Sequence, residues 1–191
     1  MENIAQKSAQ LNNLFQKRYS VREYSDKSVD NKDLLACVEA AGLAPSSINS
    51  QPWKFVIVKD NITRSHIAEM VIYPPESNPL KHNAPVFVAI VQELPDIDIT
   101  ERRHVGEHFI DIDHGLAAGH FCLKATELGL GTCIIGAFNE QTLKQELSIP
   151  KNKKVKLIIA VGYPESGDLF ETAPDKSRKN SDEIVCFERY Q

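Results

Sequence analysis

The chain contains no C-x-x-C pair, no G-x-G-x-x-G, no G-x-x-x-x-G-K-[ST] and no G-x-S-x-G. These absences remove the usual zinc-ribbon, redox-dithiol, dinucleotide-fold, P-loop and hydrolase-elbow readings. Long apolar runs are missing as well: the longest is VFVAIV at 86–91, and the opening MENIAQKSAQ has no apolar stretch. A secretion signal and a membrane span are therefore not expected, and a soluble, cytoplasmic protein is. Positive charge is not in excess, since 22 Lys and Arg stand against 26 Asp and Glu for a formal charge of −4. A nucleic-acid surface would have to be local, and no nucleic-acid partner is expected. Cysteine is scarce and dispersed. Cys37, Cys122, Cys133 and Cys186 read as reduced thiols packed as small apolar groups, with Cys133 set apart because it follows the glycine-rich GLGT.

What is present is the composition of an ordinary mixed domain: 191 residues, 42% hydrophobic and 25% charged, without repeat or linker, consistent with one domain over 1–191. Apolar spacing predicts a helix from about Asn3 to Lys17, with Ile4, Leu11, Leu14 and Phe15 on one face. A second begins at Asp30, whose carboxylate can cap it, and stops near Gly42 and Pro45. Strands are predicted at 53–58, 86–92, 132–136, 155–163 and 184–187, with a short helix in NITRSHIAEMV and another in NEQTLKQELSIP, capped by Asn139. The longest helical segment, about Gly106 to Leu128, is apolar or small nearly all round and suits a core or a subunit interface. Gly129 and Gly131 stand where a helix C-terminus favours positive φ. The prolines of 72–85 mark a long non-helical connection or flap, and the polar 165–183 stretch before IVCF suggests a tail that wraps over something. Alternating helices and strands would by default suggest a parallel sheet.

Three segments carry chemistry. In RYSVR, 18–22, an extended path would aim Arg18, Ser20 and Arg22 one way and Tyr19 and Val21 the other. Two forked guanidiniums and a hydroxyl on one face suit a phosphate or carboxylate, although a solvated charged face has the same spacing. Lys176, Arg178 and Lys179 form a second basic group in the tail. The polar PSSINSQPW, 45–53, joins a helix to a strand and ends on the chain's only tryptophan, which fits either a plain connection or hydrogen-bonding groups held at a strand edge. A competitor is HVGEH at 104–108: His104 and His108, one helical turn apart with Glu107 between them, match a zinc-peptidase pattern of three fixed residues. Asp111 and Asp113 are two apart on a helix and should not face each other.

RYSVREY, APSSINSQPWKFVIV, HNAPVFVAIV, ATELGLGTCIIGAFNE, LSIPKNKKVKLIIAVGYP and KSRK occur in the order and rough spacing of the FMN-dependent nitroreductase family, which the chain resembles from about Phe15 to its end. The resemblance implies an α+β homodimer with a mixed, mainly antiparallel sheet flanked by helices. It also implies two FMN molecules at the subunit interface and a C-terminal arm that adds an edge strand to the partner. It places Arg18 and Ser20 with Lys176 and Arg178 around the FMN phosphate, Tyr19 among the cofactor-binding residues, and Arg22 near the N1 and C2 carbonyl side of the ring. Asn49 falls at the pyrimidine edge, while Pro45, Ser46 and Ser47 approach the cofactor held mainly by the other subunit. Gln51, Pro52 and Trp53 look structural. Ile135, Gly136 and Ala137 bring main chain near N5, and Gly136 stands where some relatives carry a glutamate.

The implied activity is hydride transfer from NADH or NADPH through flavin N5 to an electron-poor small molecule such as a nitroaromatic, quinone or activated alkene. The cofactor carries the chemistry, so no catalytic acid, base or nucleophile is nominated. Related flavin-dependent dehalogenases share the scaffold. A non-enzymatic flavin binder or sensor, and a zinc hydrolase using His104 and His108, are the competing classes.

Overall fold

In the computed structural model, residues 4–72, 84–94 and 107–190 are described. Helix α1 spans Ile4–Lys17 and α2 Asn31–Gly42; a 3-10 turn, Ser47–Asn49, leads to β1, Trp53–Val58. Helix α3, Asn61–Met70, is followed by β2, Val86–Gln92, and the long α4, Glu107–Glu127. Strand β3, Gly131–Ile135, α5, Glu140–Glu146, and β4, Val155–Gly162, complete the body. Two single-turn helices, α6 at Leu169–Thr172 and α7 at Ser181–Ile184, lie in the tail. The predicted 72–85 connection falls largely outside the described residues.

The sheet order is β1-β2-β4-β3 and every strand pair is antiparallel. The parallel default from helix–strand alternation is thereby corrected, and the α+β class holds. A parallel bridge, Ser20 to Thr132, adds the 18–22 segment to the outer edge of β3. Strand β2 sits in the middle and is buried on both sides, its side chains alternating between two cores. Phe87, Ala89 and Val91 face one cluster with Ile67, Leu143 and Tyr24. Val86, Val88 and Ile90 face the other with α2 and α4 through Leu34, Cys37, Ala117, Phe121 and Ala125.

Three local expectations are corrected. Asp30 does occupy the N-cap of α2 but its side chain makes no cap bond, whereas Asp60 and Asn139 accept from Thr63 N and Thr142 N. Gly129 has φ +75 as a helix terminator should, but Gly131 belongs to β3 and is glycine because Val21 packs against its backbone. The apolar 184–187 stretch forms no strand: α7 ends at Ile184, and Ile184 and Phe187 are 70% and 83% exposed. A strand needs a partner edge, and among the described residues the chain offers this tail none.

The faces left open are as informative as the core. On α1, Ile4, Leu11 and Phe15 are exposed and Leu14 is half-buried. On α4, Phe109, Ile112 and Leu116 are exposed while Ala117, Ala118 and Phe121 are fully buried, so the helix is apolar on both its inner and outer sides. No helix among the described residues is long and apolar enough to cross a membrane.

His114 on α4 is 1% exposed and its Nδ1–H donates to Ile110 O at 2.6 Å, which leaves Nε2 a buried acceptor without a partner. Burial lowers its pKa below the ordinary 6.5, against a raising effect of the Ile110 bond, with Lys156 lowering it further and Asp111 and Asp113 opposing. The unfolded chain then binds the extra proton first as pH falls. Stability should be complete above about 6.5 and decline below it towards the lower folded pKa. Melting temperatures between pH 8 and 5 are expected to show this decline, and a His114→Leu variant to show less of it.

Candidate functional site

The cationic residues 18 and 176–178 meet in space. Helix α1 ends as Arg18 N donates to Leu14 O at 2.9 Å, and the chain then turns extended along β3. Val21 N donates to Thr132 O at 3.0 Å, which sets the alternation expected from the sequence. Tyr19 and Val21 turn into the core, leaving Arg18, Ser20 and Arg22 half-buried or exposed. Below this strip, Tyr24 is 2% exposed and its hydroxyl donates to Val21 O at 2.7 Å, with Ala160 O at 3.3 Å.

The tail closes the arrangement. Lys176 Nζ donates to Gln16 O at 2.8 Å and to Arg18 O, capping the last carbonyls of α1. This pins Arg178 beside the same helix end, where a cleft of about 470 Å³ is lined by Phe15, Gln16, Lys17, Lys176 and Arg178, with Asp175 as its one acidic side chain among the described residues. The Lys176 ammonium is held below the usual lysine range, first by burial and then by the Arg18 and Arg178 charges. Three cations crowded together in a protein of net charge −4 are mutually repulsive, and an oxyanion placed among them would relieve that repulsion. The donor set therefore fits a phosphate group.

Further along β3 the strand leads into Ile135, Gly136 and Ala137, about 10 Å beyond the residue opposite Ser20 at the usual rise per residue. Ile135 is buried, whereas Gly136 and Ala137 are exposed. No atom lies within 4 Å of where a Gly136 Cβ would stand, so open space adjoins the backbone there. The stretch is held from behind: Ile72 N donates to Ala137 O and Asn139 N to Met70 O, both at 2.9 Å. Arg22 Nη1 donates to Ser20 O at 3.2 Å. Cys133, between these groups, has its thiol pushed up by burial, opposed by the Arg22 and Arg18 charges. As a buried thiol with a raised pKa it is a packing residue.

The 45–53 loop is built on α2, α4 and β1. Pro45 and Asn49 are exposed, Ser46 and Ser47 half-buried. Ser46 Oγ accepts from Gln51 N at 2.9 Å, and Ser47 N donates to the Asp113 carboxylate at 3.1 and 3.2 Å. Pro52 is buried and its carbonyl accepts from Glu93 N at 3.0 Å, while Trp53 packs against the α2–α4 core, as expected for anchoring residues. Helix α4 packs against both α1 and this turn, which links the loop to the cationic site through one rigid element. Asp111 and Asp113 point apart, the former pairing with Lys156 at 2.7 Å. Asp113 is the participant that sequence reasoning passed over; spacing marked it only as a carboxylate two residues from Asp111, with no sign of its partner. Of the zinc pattern, His108 is exposed on α4, and His104 lies outside the described residues.

An antiparallel sheet sandwiched between helices, with a cleft between the end of α1 and the tail and an exposed backbone at the end of β3, defines an α+β scaffold. The chain belongs to the nitroreductase family, whose sequence profile matches residues 15–163. It is 27% identical over 205 residues to iodotyrosine deiodinase 1 of Sus scrofa, covering 95% of this chain and 70% of that protein. A protein of Archaeoglobus fulgidus with the provisional name NADH dehydrogenase/NAD(P)H nitroreductase is 28% identical over 87% of this chain and 91% of its own. Among solved structures, an FMN-dependent nitroreductase from Clostridium difficile superposes with a TM-score of 0.72 at 26% identity, covering 94% of this chain and 99% of that one.

Proposed function

We propose that the protein is a single-domain, homodimeric, FMN-dependent oxidoreductase that takes hydride from NADH or NADPH and delivers it to an electron-poor small molecule. The observation that carries this reading is the meeting of Arg18, Lys176 and Arg178 from opposite ends of the chain beside Ser20. Arg18, Arg178 and the Ser20 hydroxyl would hold the FMN phosphate, with Tyr19 supporting them from the core side. Lys176 would fix the tail and add its charge. Arg22 would stand by the ring's pyrimidine side, where a cation stabilises negative charge. Asn49 would donate and accept at the ring edge, with Pro45, Ser46 and Ser47 bordering the cofactor of the other subunit. Ile135, Gly136 and Ala137 would supply main chain at close range, and Gly136 leaves no side-chain role at its position.

Bound FMN supplies the hydride relay; the protein's residues orient it, neutralise its phosphate and shape access to one face. The exposed apolar faces of α1 and α4, together with Val185, Phe187 and Tyr190 of the tail, support a dimer in which that tail lies on the partner. Cys37, Cys122 and Cys133 are buried thiols, which fits a reducing, cytoplasmic setting.

The deiodinase relatives favour a second acceptor class, halogenated aromatics, alongside nitroaromatics, quinones and activated alkenes. The deciding experiment is the visible spectrum of the purified protein. It should be yellow or become so with FMN, sediment as a dimer, bleach under NADH or NADPH without air, and recolour with the acceptor it uses. A colourless protein that takes up no FMN would overturn the reading. Bound flavin that neither nucleotide bleaches would leave a flavin binder instead of an enzyme. Comparing recolouring by a nitroaromatic and by iodotyrosine separates the two acceptor classes.

A further inference from the structure

We propose that Asp113 is a positioning residue for the ring-edge loop: through the Ser47 N–H it holds the strained turn that presents Asn49. This rests on the FMN reading above. Asp113 is 4% exposed on α4, and its Oδ1 and Oδ2 lie 3.2 and 3.1 Å from Ser47 N. The Ser47 N–H is its one donor among the described residues; a carboxylate so buried is costly, and an apolar side chain at this helical position would pack at lower cost. Its presence is therefore tied to what it holds.

What it holds is unusual backbone. Ile48, Asn49 and Gln51 have φ of +50, +56 and +44, left-handed values that Asn tolerates, most L side chains avoid and a β-branched residue such as Ile48 avoids most. Such a turn persists only where its surroundings over-determine it. The Ser46 Oγ bond to Gln51 N closes the loop on itself, and the Pro52 carbonyl ties its exit to Glu93 N, but neither fastens the turn's start to another element. Asp113 joins that start to α4. Without it, residues 47–51 relax towards right-handed conformations and Asn49 leaves its place, while the cationic site at α1 and β3 is untouched.

Two variants test this on the full chain. Asp113→Leu removes the acceptor. Ser47→Pro removes the donor, and Ser46, at φ −142 and ψ 153, already has the conformation a following proline requires. In the protein without flavin, exchange of the Asn49 and Ser50 amides, bonded to Ser46 O and Ser47 O, should quicken in both variants while β2 amides stay protected. The Kd values for FMN and for riboflavin should rise together by about tenfold, with inorganic phosphate binding unchanged and the melting temperature of Asp113→Leu equal to or above the parent's.

Parent-like Kd values or parent-like loop exchange in folded variants would overturn the proposal. So would a lowered melting temperature with a parallel loss of phosphate binding, since Asp113 would then be a general structural group. If Asp113→Leu does not fold, Asp113→Asn, which keeps an acceptor oxygen, should stay near the parent while Ser47→Pro does not; equal behaviour overturns it. A parent protein that takes up no FMN fails earlier, and sinks the underlying reading as well.

Discussion

Replacing Arg18 and Arg178 together with alanine is expected to weaken FMN binding by about a hundredfold to ten-thousandfold while the protein stays folded. Each charge-assisted bond to a phosphate is worth about 1.5–3 kcal/mol, and each 1.4 kcal/mol is about tenfold in Kd. The fold should tolerate the change because Arg178 is exposed and, among the described residues, bonds its neighbour's carbonyl, Ser177 O, at 2.8 Å, while Arg18 is half-buried at a helix end. The backbone of that end is held by Lys176, which remains. Riboflavin, which lacks the phosphate, should bind parent and variant alike, and the FMN difference should shrink as salt is raised. Titration of the apoprotein by flavin fluorescence measures all of this; unchanged FMN affinity in the folded double variant would refute the phosphate assignment.

Gly131→Ala should cost about 2–3 kcal/mol of stability, lowering the melting temperature by roughly 5–10 °C for a chain of this size. The added Cβ would lie 2.5 Å from Val21 Cγ2, 2.7 Å from its Cβ and 3.0 Å from Cγ1. Val21 is 3% exposed and its N–H is bonded to Thr132 O, so neither a rotamer change nor a small tilt clears the contact. The 18–22 segment must lift from β3, and Arg18 and Ser20 move with it, so flavin affinity should fall in the same variant. Shortening the obstacle, with Val21→Ala added to Gly131→Ala, should recover part of the loss as a favourable coupling in a double-mutant cycle. A single variant melting with the parent would show that the strand edge is looser than its packing indicates.

Much of the fold was legible because it is encoded locally. Strands β1 and β2 have the bounds that alternation and the flanking Pro52, Pro85 and Asp60 indicate, and α3 and α5 begin where Asp60 and Asn139 cap them. The limits of local reading appear where one residue type serves two causes. Asp60 caps with its side chain and Asp30 does not. Gly129 is required by its own φ and Gly131, two residues on, by the side chain of Val21 from another segment. The apolar tail 184–187 has strand-like composition, but pairing is a property of two chains' edges, and composition supplies only one.

The same division holds for the site. The alternation in RYSVR determined by itself which side chains share a face, because an extended backbone permits no other arrangement. The sequence likewise determined the family, through six short motifs in register. Only the tertiary structure decided that Lys176 reaches Arg18 across 158 positions, and that Asp113 reaches Ser47 across 66. Those contacts arise from the docking of α4 and of the tail against α1, long-range packing that no periodicity within a single segment encodes. Local stereochemistry fixed what each segment could present, and burial of two apolar layers against one sheet decided which segments would meet.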